Sequence, residues 1–256
     1  MRYPIIDLGA FPIYKFMGGL GFILGLLLLI NNLKTYKIRE EKKDLLLFLL
    51  AVSCLVGMAS ANVGNWLVMP ELLQEDIINR IGKAGFSYYF GFIGFLIVSS
   101  SLLKIFGFQA GKCLNYFIPS LLLFHSLGRV GCSLAGCCYG RLVNWELFNL
   151  FTVTRFPARE IEAFSLFVLF LIVQFIVKKN RLIFYFLTYP IIRFLLEFGR
   201  GDYRGLIFMG WLSIAQLISI IIICSTIVYI LIAKIRGRNL AFLAGSKASN
   251  PYSGSQ

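Results

Sequence analysis

The stretch HSLGRVGCSLAGCCYG, residues 125–140, decides how the rest of the chain is interpreted. It begins inside an apolar run and carries Arg129, whose permanent charge is costly to place in lipid without a partner. Four glycines and three cysteines make the stretch rich in small side chains, which let a backbone approach another helix or a ligand closely. An arginine among small residues is suited to binding a phosphate or carboxylate within a membrane.

The composition predicts an all-α, polytopic membrane protein. Of the 256 residues, 58% are hydrophobic and 14% are charged, whereas about a quarter of the residues in soluble domains are charged. Apolar stretches near the roughly 20 residues needed to cross a bilayer recur along the chain. The net charge of +13 is concentrated between and after these stretches. Lipid head groups at the cytoplasmic face explain this pattern better than nucleic acid does.

The apolar stretches predict about seven transmembrane helices, with the N-terminus outside and the C-terminus in the cytoplasm. They lie at about residues 10–30, 45–63, 85–103, 114–132, 161–177, 182–198 and 206–233. Residues 1–240 are expected to form one transmembrane domain, in which residues 133–160 form an outer-face segment, either an interfacial helix or a loop. Residues 241–256 are expected to be a disordered tail or a non-native extension.

The six cysteines predict neither a disulfide framework nor a metal site. Cys54 and Cys224 lie in apolar stretches, and Cys132, Cys137 and Cys138 are too close in sequence to connect distant elements. The chain has one histidine, and thiolates in a bilayer would need a metal or a cationic partner. We therefore predict no metal ligand and no cofactor.

A second charged group lies in the sixth apolar stretch, at Tyr189, Arg193, Glu197 and Arg200. At 100° per residue these positions fall within an arc of about 80°, so one helix face would carry all four. An Arg–Glu pair at i,i+4, with Arg200 already in water, would explain Glu197 and Arg200. One carboxylate cannot neutralise both Arg129 and Arg193, however. The sequence therefore favours an anionic ligand between these two arginines.

Other residues near the two arginines have simpler explanations. His125 lies one helical turn before the first arginine and is interpreted as a supporting residue rather than a base. Gly136 and Gly140 form a GxxxG pattern, which by itself indicates close helix packing. Tyr14 and Tyr89 lie near the predicted outer interface, where aromatic residues are expected without any function.

Taken in order, these motifs resemble the prolipoprotein diacylglyceryl transferase family, bacterial membrane enzymes that move diacylglycerol from phosphatidylglycerol to a lipobox cysteine. Residues 128–140 fit the family frame G-R-x-G-N-x-x-N-x-E-x-x-G, and residues 189–200 fit Y-x-x-x-R-x-x-x-E-x-x-R. Weaker matches are FPIYKF, FSYYFG, FPAREIEA and MGWLSIAQ, and the resemblance covers about residues 10–235. The seven-span topology also agrees with the family.

The chain departs from the family frame at several positions. Cys132 and Ala135 replace two asparagines, Cys137 replaces a glutamate, and Tyr89 stands where many members carry histidine. Residues 136–140, with the sequence Gly-Cys-Cys-Tyr-Gly, therefore resemble a divergent branch of the family.

The resemblance implies a phosphate-directed displacement in a single catalytic domain. Arg129 and Arg193 would hold the phosphate of phosphatidylglycerol and stabilise the departing glycerol phosphate, and Glu197 would orient an arginine. The acceptor thiolate would attack the glycerol carbon that bears the phosphate ester, and the acyl chains would leave sideways into the bilayer. Further substrate-binding residues implied by the resemblance are Tyr14, Tyr89, Gly128, Cys132, Cys137, Gly140, Tyr189 and Arg200, with His125 behind them.

The resemblance further implies a monomer in the bacterial cytoplasmic (inner) membrane, with its active site toward the outer leaflet. Its substrates would be phosphatidylglycerol and a prolipoprotein or another membrane acceptor. Three alternatives remain open at this point. The first is a related transferase with a non-lipoprotein acceptor, which the lost Asn and Glu positions motivate. The others are an anion transporter, although no internal repeat is visible, and a non-catalytic relative that binds lipid.

Overall fold

The computed structural model describes residues 13–35, 40–68, 87–147, 151–201, 207–208 and 212–235. Within these residues the backbone forms seven helices and two short antiparallel hairpins. The predicted tail at 241–256 and most of the connection between the second and third helices lie outside the described residues. A helical chain is expected for this composition, because lipid offers no hydrogen bonds to backbone groups and a helix satisfies them internally.

The element order follows the apolar stretches of the sequence. The helices are α1 Ile13–Thr35, α2 Glu40–Val68, α3 Tyr88–Ile105, α4 Ala110–Leu134, α5 Ala158–Leu171, α6 Arg181–Glu197 and α7 Ile214–Ile235. A π-helical turn, Ile172–Ile176, continues α5. The hairpins pair β1 Leu142–Leu147 with β2 Phe151–Arg155, and β3 Ile207–Phe208 with β4 Leu212–Ser213.

Five of the seven described helices are long and apolar enough to cross a bilayer: α1, α2, α3, α4 and α7. This confirms the prediction of a polytopic membrane protein. Helices α5 and α6 are shorter, with 14 and 17 residues. They carry the buried acidic and basic side chains described below.

Two predictions about the outer segments differ from the structure. For the segment expected to be an interfacial helix or a loop, residues 142–155 include a β-hairpin, and Val and Thr residues in β2 favour the extended backbone. The seventh helix begins at Ile214, later than predicted, because residues 207–213 include the β3–β4 pair. Apolar composition alone could not separate this pair from the helix that follows it.

Helix α4 occupies the centre of the described fold and contacts α1, α3, α5 and α6. Two glycines of α1 allow its close approach. A Cβ added at Gly21 would lie 3.2 Å from the Phe124 carbonyl oxygen, and one at Gly25 would lie 3.1 Å from that of Ser120. Because the packing leaves large apolar side chains exposed along the helices, lipid is the medium that suits the outer surface.

Candidate active site

Three arginine side chains converge on Glu162, which lies on α5 and is completely buried. Arg129 Nη2, from α4, lies 3.1 Å from Glu162 Oε1. Arg193 Nη1, from α6, and Arg200 Nη1, just beyond α6, lie 3.9 Å and 3.7 Å from Glu162 Oε2. We call these four residues the Glu162 cluster.

Helical periodicity places two of these residues on buried faces. Glu162 shares one face of α5 with Leu166 and Leu169, at i+4 and i+7, and both leucines are buried. Arg193 likewise follows Tyr189 at i+4 on the buried face of α6. Because α5 and α6 both pack against α4, charged side chains on these faces meet inside the protein.

The i,i+4 pair predicted on α6 is present, with Arg193 Nη2 2.6 Å from Glu197 Oε2. The simpler explanation that placed Arg200 in water does not hold, because its side chain is only 3% exposed, and its predicted role in substrate binding stays a prediction. Helix α6 ends at Glu197, so Arg200 does not continue its face. Instead, Arg200 forms an isolated antiparallel bridge with Gly140, and this bridge holds the chain where the arginine reaches Glu162.

Three guanidinium groups, from Arg129, Arg193 and Arg200, lie near two buried carboxylates, Glu162 and Glu197. Among the described residues, Glu162 is the only carboxylate within ion-pair distance of Arg129. Arg193 Nη1 and the facing Glu162 Oε2 are both buried, lie 3.9 Å apart and have no hydrogen-bond partner within the described ranges. Leaving a buried charged donor unsatisfied is costly. An additional anion could therefore bind here with charge-assisted hydrogen bonds.

An aromatic layer lies directly behind the cluster. The Tyr189 hydroxyl donates to Glu162 Oε1 at 3.3 Å. The buried His125 ring stacks on Tyr88, with centroids 4.0 Å apart, and meets the Tyr189 ring edge-on at 5.2 Å. The structure thus places His125 beside an aromatic ring that contacts Glu162, and its supporting role stays a prediction.

Tyr89 belongs to the same layer but bonds to a different helix. Its hydroxyl lies 2.6 Å from Ser219 Oγ on α7, and its ring centroid lies 6.2 Å from that of Tyr189. Tyr14 is 38% exposed on α1 and packs near Gly131 of α4. Among the described residues no hydrogen bond joins Tyr14 to an arginine, so its predicted role in substrate binding stays a prediction.

The glycines of the central motif have distinct surroundings. A Cβ added at Gly128, the residue before Arg129 in the chain, would meet nothing within 4 Å. This position therefore leaves open space. A Cβ at Gly140 would overlap the carbonyl oxygen of Phe156. Gly140 therefore allows a close backbone contact with Phe156, and its predicted role in substrate binding stays a prediction.

We expect Gly140→Ala to destabilise the protein by about 1–3 kcal/mol, because the new methyl group overlaps backbone that cannot rotate away. Thermal unfolding of the purified protein in detergent measures the effect. Gly19→Ala is the matched control, since Gly19 lies on α1 with nothing within 4 Å of an added Cβ. Equal unfolding temperatures for the two variants would contradict the assigned role of Gly140.

Three cysteines lie together at the C-terminal end of α4. The Sγ atoms of Cys132, Cys137 and Cys138 all lie within 4.8 Å of one another, and none of them forms a disulfide. For Cys137, which follows the helix, a hydrogen bond with Cys132 lowers the thiol pKa. Hydrogen bonding with Cys138 and burial outweigh this effect, so the pKa of Cys137 is raised above its ordinary value.

Analysis of the sequence missed Glu162 as a site residue. The signal was available, since this glutamate falls inside the apolar stretch at 161–177, and an ionisable residue there is a functional candidate. A neighbouring group was also missed. Arg159 Nε donates to Glu160 Oε1 at 2.7 Å, and the Ser133 hydroxyl donates to the same oxygen at 2.7 Å. This second group joins the start of α5 to the end of α4.

Comparison with known proteins agrees with the motifs. The family model described as prolipoprotein diacylglyceryl transferase matches residues 4–232. A phosphatidylglycerol–prolipoprotein diacylglyceryl transferase of Clostridium tetani is 28% identical over 171 residues, which are 63% of this chain and 65% of that protein. The enzyme numbered 2 in Clostridium perfringens is 29% identical over 258 residues, covering 93% of this chain and 98% of its own length.

The family match spans the helices and the Glu162 cluster together, from α1 to most of α7. A match of this extent is not confined to one motif or one span. The chain therefore belongs to the prolipoprotein diacylglyceryl transferase family.

Proposed function

We propose that this protein transfers a diacylglyceryl group from phosphatidylglycerol to the lipobox cysteine thiol of a prolipoprotein, releasing glycerol phosphate. The observation that supports this function best is the convergence of arginines from separate elements on one buried carboxylate. Both named relatives carry the name of this activity. They do not favour the transporter, the lipid-binding relative or a different acceptor.

In this proposal the phosphate of the donor lipid binds to Arg129 and Arg193. Arg193 Nη1 offers an unsatisfied N–H donor, and Arg129 shares its carboxylate with two other arginines. Glu162 and Glu197 hold the guanidinium groups in position. Glu197, for example, contacts Arg193 at 2.6 Å. Prepositioned donors are effective because they need not reorganise as charge develops during the reaction.

The chemical step is a displacement at carbon. The acceptor thiolate attacks the glycerol carbon that bears the phosphate ester, forming a carbon–sulfur bond as the carbon–oxygen bond breaks. The electron pair of the broken bond leaves with the glycerol phosphate. The arginines stabilise the negative charge on this leaving group, and the thiol proton is lost before or during the attack.

A groove between two helices offers apolar surface for an acyl chain. It has a volume of about 350 Å³ and lies between α4 and α5, lined mainly by Val130, Leu134, Ala163, Phe164 and Phe167. In this proposal the apolar part of the groove receives a lipid tail, while the head group binds to the arginines.

For the membrane arrangement we propose seven spans, including α5 with its π-helical turn and α6, with the N-terminus outside and the C-terminus in the cytoplasm. The polar cluster would then face the outer leaflet of the bacterial inner membrane, where the acceptor is exposed after export. The basic residues that follow the apolar stretches support this orientation. We also propose that the protein acts as a monomer. Labelling of single cysteines placed at each end of α5 and α6 tests the orientation.

Incubation of the purified full-length protein with phosphatidylglycerol and a lipobox peptide tests the function. The expected products are a peptide with a thioether-linked diacylglyceryl group and an equal amount of glycerol phosphate. Consumption of the lipid without modification of the peptide would indicate another acceptor. Lipid binding without any turnover would identify a non-catalytic relative instead.

A further inference from the structure

The three cysteines at the end of α4 form a convergent group that the proposed reaction does not yet use. Cys132 is buried, Cys137 is exposed and Cys138 is intermediate, so the group can be reached from outside the protein. Their sulfur atoms lie within 4.8 Å of one another. Two of them, Cys132 and Cys137, replace polar residues of the family frame.

The local backbone fixes this convergence. Helix α4 ends at Leu134, and Gly136 and Cys138 then adopt left-handed conformations, with φ of 73° and 58°. The resulting turn folds back so that the Cys137 thiol donates to the Cys132 carbonyl oxygen, with 3.6 Å between sulfur and oxygen. Because a non-glycine residue rarely adopts a positive φ, the position of Cys138 is set by the turn rather than by its own preference.

A side chain from α5 holds the same turn from the other side. Arg159 is 2% exposed, and its Nη1 donates to the Cys137 carbonyl oxygen at 2.8 Å. Arg129 lies at i−3 from Cys132 on α4, so the two side chains share a helix face. Arg159 therefore holds the Cys137 end of the turn, and Arg129 lies on the helix face that carries Cys132.

Three thiolates in this arrangement suit one soft cation. Zinc bound to sulfur at 2.3 Å in a tetrahedron keeps its ligand sulfurs about 3.8 Å apart, so a small closure of the present group is sufficient. Three protein ligands leave the fourth position for an exchangeable group, as catalytic zinc sites do. Three thiolates and a divalent cation carry one net negative charge, which the nearby arginines can balance.

We propose that Cys132, Cys137 and Cys138 bind a zinc-class divalent cation whose fourth position takes the thiol of the acceptor cysteine. This assignment replaces the prediction of no metal site, and its second half rests on the proposed transferase function. A thiol that coordinates such a cation is deprotonated. Its proton passes to water, and the bound sulfur then attacks the glycerol carbon as the carbon–oxygen bond breaks. The group would thereby supply the acceptor in its reactive form beside Arg129.

Cobalt titration of the reduced, metal-free, full-length protein tests the site without any turnover. We expect thiolate-to-cobalt charge-transfer absorption that saturates at about one equivalent and is displaced by Zn²⁺. Cys137→Ser should weaken binding at least tenfold, and the fold should survive because this side chain is exposed. Cys224→Ser, which removes an exposed cysteine of α7, should bind cobalt as the wild type does.

A second titration tests the open position. Adding a lipobox peptide should shift the cobalt spectrum, whereas the same peptide with serine in place of cysteine should not. Absence of the charge-transfer band, or unchanged binding in Cys137→Ser, would overturn the metal site. Identical spectra with both peptides would overturn the role of the acceptor thiol. Full transferase activity in metal-free protein would overturn this inference while leaving the proposed function intact.

Discussion

Arg129→Gln is expected to lower the rate of diacylglyceryl transfer by about 10²–10³-fold, the usual effect of removing one donor that stabilises a developing anion. Arg129 lies 3.1 Å from Glu162, which two other arginines also approach. Its removal therefore leaves Glu162 with cationic partners, so the fold should survive. The measurement is the rate of thioether formation with phosphatidylglycerol and a lipobox peptide.

Two further variants sharpen this prediction. Arg129→Lys keeps the charge but lacks the planar pair of donors that matches a phosphate, so it should restore only a small part of the rate. Lys104→Gln removes one positive charge at an exposed position at the end of α3 and should retain the wild-type rate. Wild-type activity in Arg129→Gln would contradict the phosphate-binding role.

Glu162→Gln is expected to destabilise the protein by about 3–5 kcal/mol, because it leaves buried arginines without their shared carboxylate. The substitution preserves the size of the side chain, so the loss should come from charge rather than from a cavity. We further expect phosphatidylglycerol to raise the unfolding temperature of this variant more than that of the wild type. The lipid phosphate would supply the negative charge that the variant lacks.

Glu160→Gln is the matched control for this change. Glu160 lies two residues earlier on α5 and pairs with Arg159 at 2.7 Å, but its side chain is 36% exposed. Water can reach the partly exposed Glu160 position and take over its contacts, so this substitution should cost less than Glu162→Gln, although Arg159 itself is buried. Thermal unfolding in mixed micelles, with phosphatidylglycerol or with a zwitterionic lipid, measures both effects. An equal response of both variants to the two lipids would contradict the account of the cluster.

The positions of most helices could be predicted from the sequence because each apolar stretch carries its own signal. The fourth stretch was predicted at about 114–132 and forms a helix at Ala110–Leu134. The contact between Arg193 and Glu197 is equally local, since it needs only one turn of one helix. In both cases the signal and the structure it predicts lie within the same short segment of the chain.

The centre of the site could not be predicted in the same way, because it depends on which faces of different helices meet. Glu162 and Arg129 are 33 positions apart in sequence, and periodicity along one helix does not identify the residue opposite it. Glu197 is the acid that the sequence predicts for the site, so no second carboxylate was expected near the arginines. Arg200 was misplaced because its position depends on the bridge to Gly140, which forms after α6 has ended.

The central claim is that the phosphate of the donor lipid binds to the arginines of the Glu162 cluster. Solid-state NMR measures this contact through the dipolar coupling between phosphorus-31 of phosphatidylglycerol and nitrogen-15 of labelled arginine side chains. The account predicts a strong coupling in the wild-type protein that falls substantially in Arg129→Gln but not in Lys104→Gln. A coupling that is absent in the wild type, or that is unchanged in Arg129→Gln, would contradict it.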